Sequence, residues 1–347
     1  MKSFFCRRCL FLMTVILSLG FFACSGKNKS GEEIRIAVFV PGIVSGSPVY
    51  EMLTEGVTEA VQEGRENGKK INLTIYEAGV NQAEWEMKMI SLCAEDSYDL
   101  IVSSNPSIPE IAAAASARFP QQEFLILDSR YTGNPNITTF SYNQREQAYV
   151  GGYISALVSM SSMRYANPEK KIGLIAAQEY PVMLNTILPA YREGARAVDP
   201  GFEVDFRIVG SWNDAVRAAE LARSMKSSGS DVIMPVSGAA NQGVITAAKE
   251  SGFYITWFDD NGYSKAPGYV IGSAAMRQDK LAKNATLAWL DGTLDRGQAI
   301  TVGIADEYVD FISDDPLYIN TVPQDIREKM AALMDRLYSG ELELSAE

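Results

Sequence analysis

The chain contains no histidine. That absence removes Ser-His-Asp and Cys-His nucleophile systems, His-ligated zinc and the commonest general base. Cysteine is scarce as well: Cys6 and Cys9 fall among the first ten residues, leaving Cys24 and Cys93. Cys93 shares an apolar helical spacing with Trp85, Met89 and Ile90 and reads as core. Two phosphate-cradling patterns are missing, G-x-x-x-x-G-K-[ST] and a G-x-G-x-x-G that follows a strand. Positive charge is also short: 43 acids against 31 lysines and arginines leave a formal net charge of −12. Such a surface excludes nucleic acid and an anionic bilayer as favoured partners. What remains is a binding protein rather than an enzyme.

One long apolar run is present, from Leu10 to Phe22, with Lys2, Arg7 and Arg8 before it and Ala23-Cys24-Ser25-Gly26 after it. It is shorter than the roughly 20 residues a membrane-spanning helix needs. It has the parts of a bacterial secretory signal, and a cysteine directly after the cut makes it a lipoprotein signal. Residues 1–23 are therefore expected to be removed and Cys24 to be acylated. Polar residues 24–33 then form a lipid-anchored tether. The expected location is the bacterial cell membrane, lipid-anchored, on the periplasmic side.

At 47% apolar and 21% charged, the remainder has the composition of a soluble folded body, and it is long enough for two domains. Strands are predicted at 34–40, 71–76, 100–103, 123–127 and 137–140, with helices from Pro48, near 82–96 and over 107–118. A second cycle predicts helix 144–162, strand 171–176, helix 185–198, strand 204–209, helix 212–228, strand 231–236, helix 240–250 and strand 253–258. Short strands at 269–273 and 300–304, a segment at 308–311 and a helix over 323–338 follow. Such alternation implies an α/β architecture of parallel sheets covered by helices on both faces. Two lobes are expected, 34–140 plus 264–304 and 141–263 plus 305–340, with three crossings between them.

Ligands of open α/β sheets sit at the carboxyl ends of strands. The loops there are rich in amides and aromatics: Ser47-Pro48-Val49-Tyr50, Ser103-Ser104-Asn105, Asp128-Ser129-Arg130, Tyr142-Asn143-Gln144, Gln178-Glu179-Tyr180, Ser237 through Asn241, and Trp257-Phe258-Asp259. Amides and hydroxyls satisfy a neutral polar ligand, and aromatics offer flat faces for a ring.

Ser116-Ala117-Arg118-Phe119-Pro120, Phe124 through Asp128 and Tyr142-Asn143-Gln144…Ala148-Tyr149-Val150-Gly151-Gly152 resemble the basic membrane protein family of nucleoside-binding lipoproteins. Val236-Ser237-Gly238 and Trp257-Phe258-Asp259 extend the resemblance over residues 34–313. It implies a type I periplasmic-binding-protein fold, two doubly wound parallel-sheet lobes joined by a three-stranded hinge, serving an ABC importer. Departures stand at Gly46 through Tyr50, where the nucleoside binders carry Asp-Lys-Ser-Phe-Asn. Others are Met276, where a ribose-holding lysine is usual, and Gln144-Arg145 in place of Asn-Glu. The pattern is most similar to the riboflavin-binding branch of the family, on Arg35 through Gly42, Gln178 through Met183, Trp257 through Tyr263 and Asp315 through Tyr318.

That resemblance implies riboflavin as a transported ligand with no resident cofactor or metal, an ABC permease as partner and a monomeric protein. Purine nucleosides are the same-fold alternative; an extracytoplasmic flavin-dependent enzyme and a sensory lipoprotein are the more distant ones. A flat tricycle with a hydroxylated side chain needs stacking faces, amide groups at the ring edge and acceptors for the hydroxyls. Tyr50 and Trp257 are the expected opposing faces, with Tyr142 and Tyr180 in reserve. Asp128 and Asp259 are the expected hydroxyl acceptors, and Asn105, Asn143, Gln178 and Asn241 the expected amides. Arg145 either contacts a ligand carbonyl or pairs with Asp128.

Overall fold

The computed structural model describes residues 33–95 and 98–346. The expected signal peptide, Cys24 and all of the tether except Glu33 lie outside the described residues. The chain opens with β1 (Ile34–Val40), α1 (Pro48–Glu66), β2 (Ile71–Glu77), α2 (Trp85–Ala94), β3 (Leu100–Ser104), α3 (Ile108–Ser116), β4 (Glu123–Leu127) and β5 (Ile137–Tyr142). Next come α4 (Gln144–Ser159), β6 (Lys171–Ala176), α5 (Leu188–Val198), β7 (Glu203–Ile208), α6 (Ala215–Ser227), β8 (Val232–Val236), α7 (Asn241–Ser251), β9 (Tyr254–Asp259) and β10 (Val270–Met276). α8 (Gln278–Leu290), β11 (Ala299–Val302), β12 (Val309–Phe311), α9 (Pro316–Thr321) and α10 (Gln324–Tyr338) complete it.

Two six-stranded sheets result, ordered β11-β5-β4-β3-β1-β2 and β12-β10-β9-β8-β6-β7. The first is parallel throughout; in the second only β12 runs antiparallel, against β10. β1 shows why. Its run Ile36-Ala37-Val38-Phe39-Val40 is wholly buried because successive side chains enter cores on opposite faces. Ile36, Val38 and Val40 pack with Leu53, Val57 and Val61 of α1, while Ala37 and Phe39 pack with Met89, Leu92 and Ile108.

The expected lobe boundaries need one correction. The sequence pattern puts residues 264–304 together in the first lobe, but β10 pairs in parallel with β9 and belongs to the second sheet. Only α8 and β11 return to the first. α8 itself was not predicted; it buries Leu281, Ala282 and Ala285 and packs along α1. The chain therefore changes lobes after β5, after β10 and after β11. After α10 the chain turns back, so that the Leu344 carbonyl accepts a hydrogen bond from Asn143 Nδ2 at 2.7 Å, beside the first crossing. No helix among the described residues is long and apolar enough to cross a membrane.

The two lobes follow one plan, strand for strand, and each takes a helix from chain that has just left the other. α4 follows β5 yet packs on α5 and the second sheet; α8 follows β10 yet packs on α1. The α4–α5 crossing is close because glycines meet backbone there. A Cβ at Gly152 would overlap the Tyr191 carbonyl, and one at Gly194 the Tyr149 carbonyl. Gly152→Ala is expected to force the helices apart and to destabilise the protein by about 1–3 kcal/mol. Thermal denaturation checks this: an unchanged melting temperature would mean the crossing yields without cost.

Candidate functional site

β4 and β9 hold the same rank in their sheets, third from the edge strand added last. Each delivers an aspartate at its carboxyl end, and both aspartates take left-handed backbone, φ +50° at Asp128 and +78° at Asp259. Aspartate tolerates this region better than most side chains, and such conformations gather at functional sites. Burial raises both carboxyls to about 7. The charge of Asp259 adds to the rise at Asp128. At Asp259 the neighbouring Asp260 adds, and a hydrogen bond from Gln147 Nε2 (3.3 Å) opposes. Among the described residues neither carboxylate is paired with a lysine or arginine, and Asp128 has no hydrogen-bond donor. The charge of Asp259 is felt at Asp128, so the carboxyl ends of β4 and β9 bring two acids within electrostatic reach of each other without a counter-ion among the described residues.

Aromatic side chains frame this pair. The Tyr50 hydroxyl donates to the Pro41 carbonyl (3.1 Å) and accepts from Asn105 Nδ2 (3.3 Å), while its ring edge packs over Gly42. Burial raises the Tyr50 phenol and Asp128 adds to it; Asn105 lowers it. Tyr180, from the loop after β6, is raised first by burial and then by the charges of Asp259 and Asp128. Tyr142 is buried below them, its hydroxyl 3.5 Å from Gln278 Oε1. Two glutamines not anticipated from sequence brace the strand ends. Gln278 receives Ser104 Oγ (3.0 Å) and donates to the Val49 carbonyl (2.7 Å). Gln147 donates to the Ala274 carbonyl (3.0 Å) and to Asp259, leaving its buried Oε1 without a donor among the described residues.

Several expected site residues are engaged elsewhere. Trp257 is 6% exposed, its Nε1 bonded to Asp260 and its ring packed against Gly262 beneath Lys265, so it is part of the second lobe's interior rather than a free face. Asn143 caps α4 through Oδ1 and spends its Nδ2 on Leu344. Asn105 and Asn241 use their Oδ1 atoms in local turns, to Ser107 and Ser237, leaving Asn241 an amide to offer. Gln178 is exposed at the rim. Arg145 pairs with Glu193 of α5 rather than with Asp128. Sequence reasoning missed Trp212, which it placed inside a helix and which stands in the loop after β7 beside Tyr180.

The sequence model for Bmp, described as ABC transporter substrate-binding protein PnrA-like, matches residues 33–343. The chain belongs to the Bmp family. Basic membrane protein A2 of Borrelia garinii subsp. bavariensis is 24% identical over 340 residues, covering 96% of this chain and 95% of the relative. The ABC transporter nucleoside-binding protein BmpA of Lactococcus lactis subsp. cremoris is 26% identical over 226 residues, 65% of this chain and 60% of that one. Among solved structures, an ABC transporter solute-binding protein of Aeropyrum pernix K1 superposes with a TM-score of 0.72 at 19% identity, covering 90% of this chain and 94% of the other. That likeness is one of fold, the type I periplasmic-binding-protein fold. As a Bmp protein the chain is an extracytoplasmic substrate-binding protein of an ABC transporter, with a small molecule as ligand and a permease as partner.

Proposed function

We propose that this protein captures riboflavin between its lobes, held at the membrane by acyl chains on Cys24, and hands it to the permease. The observation that carries this reading is the pair of electrostatically coupled aspartates, Asp128 and Asp259, which no lysine or arginine among the described residues neutralises, with Tyr50 and Tyr180 within reach of their charge. Ionised carboxylates only accept hydrogen bonds, so the pair suits a ligand dense in hydroxyl donors, such as a ribityl chain. The tyrosines suit a flat ring beside it. A ligand touching both lobes favours the closed form by its differential affinity, and closure joins the two faces that a permease meets.

Purine nucleosides are the second reading. The Lactococcus relative carries nucleoside binding in its name, and ribose hydroxyls also suit two carboxylates. Against it stand Met276, at the place where the resemblance puts a lysine that helps hold the ribose, and the Gly46–Tyr50 segment, which lacks the acid, lysine and aromatic of the nucleoside binders. Isothermal titration of residues 33–347, a compact unit, against riboflavin, guanosine and adenosine separates the two. Riboflavin binding with nucleosides silent is the expected result; the reverse would replace the ligand and keep the fold's role.

A further inference from the structure

The candidate site gathers around the carboxyl ends of the strands. A second polar cluster lies between α4 and α5, the helices that cross at Gly152 and Gly194. Beside that crossing is a groove of about 550 Å³ lined by Tyr149, Pro189, Arg192, Glu193, Arg196 and Ala197. Arg192 and Arg196 are one turn apart on α5 and so project from one face. Arg192 has no acceptor among the described residues. Arg196 gives only its Nε, to the Phe202 carbonyl (3.2 Å), and keeps both Nη groups. Glu193, the one acid in the lining, is already paired with Arg145. Arg336 of α10 adds positive charge within electrostatic reach of Tyr149. A local excess of positive charge thus stands in a chain whose net charge is −12.

Tyr149 is only 7% exposed, yet its hydroxyl has no hydrogen-bond partner among the described residues. Buried phenols ordinarily find one. Burial first, then Glu193 and Tyr153, raise this phenol, and Arg336 opposes them. The net direction is upward, so the hydroxyl keeps its proton and is free to donate into the groove. Like charges one turn apart on a helix oppose each other, and an anion between them removes that opposition. Guanidinium forks match the geometry of phosphate oxygens. We propose that the α4–α5 groove is a second ligand site, separate from the strand ends that carry Asp128 and Asp259, and that it takes a phosphate ester. Arg192 and Arg196 grip the phosphate oxygens, the Tyr149 hydroxyl donates to them, and Pro189 and Ala197 flank the ester's carbon chain. A groove of this size takes a small organic molecule rather than a bare ion. A lipid headgroup offers the same chemistry, but the net negative charge of the chain disfavours an anionic bilayer and makes a soluble ester the expected source.

The test titrates residues 33–347, the compact unit, with glycerol 3-phosphate and with vesicles containing phosphatidylglycerol, sodium chloride at equal ionic strength serving as the blank. Calorimetry is expected to show binding of glycerol 3-phosphate, weakened about tenfold or more in Arg192→Ala and about threefold to tenfold in Tyr149→Phe. Melting temperatures of the unliganded variants should stay near wild type, because Arg192 engages no acceptor and phenylalanine keeps the buried ring. Vesicle binding that is lost in Arg192→Ala would uphold the site and make a lipid headgroup its source. Three results each overturn the inference: no response to either probe, a response that chloride reproduces, or binding that Arg192→Ala leaves unchanged.

Discussion

Asp259→Asn is expected to weaken ligand binding by roughly ten- to a hundredfold while raising the melting temperature of the empty protein. The loss follows from removing a charged acceptor, since hydrogen bonds to charged groups contribute about 1.5–3 kcal/mol and every 1.4 kcal/mol is tenfold. The gain follows from the same charge seen in the absence of ligand. Asp259 is desolvated, is raised by Asp260, raises Asp128 in turn and has Gln147 as its one side-chain donor among the described residues. An amide of the same shape removes that repulsion; a relief of about 1 kcal/mol would lift the melting temperature by roughly 2–4 °C. Asp128→Asn should act in the same direction, and the double variant should gain less than the two single gains combined, because the acids are coupled. Calorimetric titration and thermal denaturation of the same samples check both halves. Wild-type affinity in Asp259→Asn would remove the aspartates from the site, and a lowered melting temperature would show that they support the fold.

Lowering the pH should stabilise the empty protein across the range where most carboxylate-stabilised proteins weaken. Asp128 and Asp259 have folded-state values near 7, above the 3.8 of an unperturbed aspartate. Between those limits the folded state binds more protons than the unfolded one, so stability falls as pH rises from about 4 to about 7. The slope approaches about 1.4 kcal/mol per pH unit for each carboxyl at its steepest. The melting temperature of the apoprotein should therefore rise between pH 8 and pH 6, and Asp128→Asn should flatten that rise. Ligand hydroxyls donate to ionised carboxylates, so binding should strengthen as pH rises through 7 and release protons near that pH. Titrations in buffers of different ionisation enthalpy measure the release; proton uptake would mean that a carboxylic acid donates to the ligand instead.

The strands that carry these acids were readable because each is a short apolar run ending in a carboxylate, and Phe124 through Asp128 and Tyr254 through Asp259 needed no partner to be recognised. Which sheet a strand joins is not written in the strand. Val270–Met276 has the composition of either lobe, and only its parallel pairing with β9 places it in the second. α8 stayed hidden because its buried stripe is built of Leu281, Ala282, Ala285 and Thr286, too weakly apolar to stand out beside Asp279, Lys280 and Lys283. Trp212 was lost to a helix boundary. Asp214 caps α6, its Oδ1 accepting from the Arg217 amide at 2.9 Å, so the helix starts at Ala215 and the tryptophan is left in the loop. That capping aspartate was the available signal. Trp257 misled for the opposite reason: it points to the same side of β9 as Asp259, but one pleat deeper, where Gly262 closes over it.

The exchange of helices between lobes governs the order in which the chain can fold. β1 through β5 emerge together from the ribosome, yet α1 lacks its neighbour α8 and β5 lacks its neighbour β11 until residue 302 has been made. The first lobe cannot finish before nearly the whole of the second has been synthesised, and its closing contacts span well over a hundred residues. Loop closure on that scale is slow. The first lobe's closing contacts are thus made late, after residue 302.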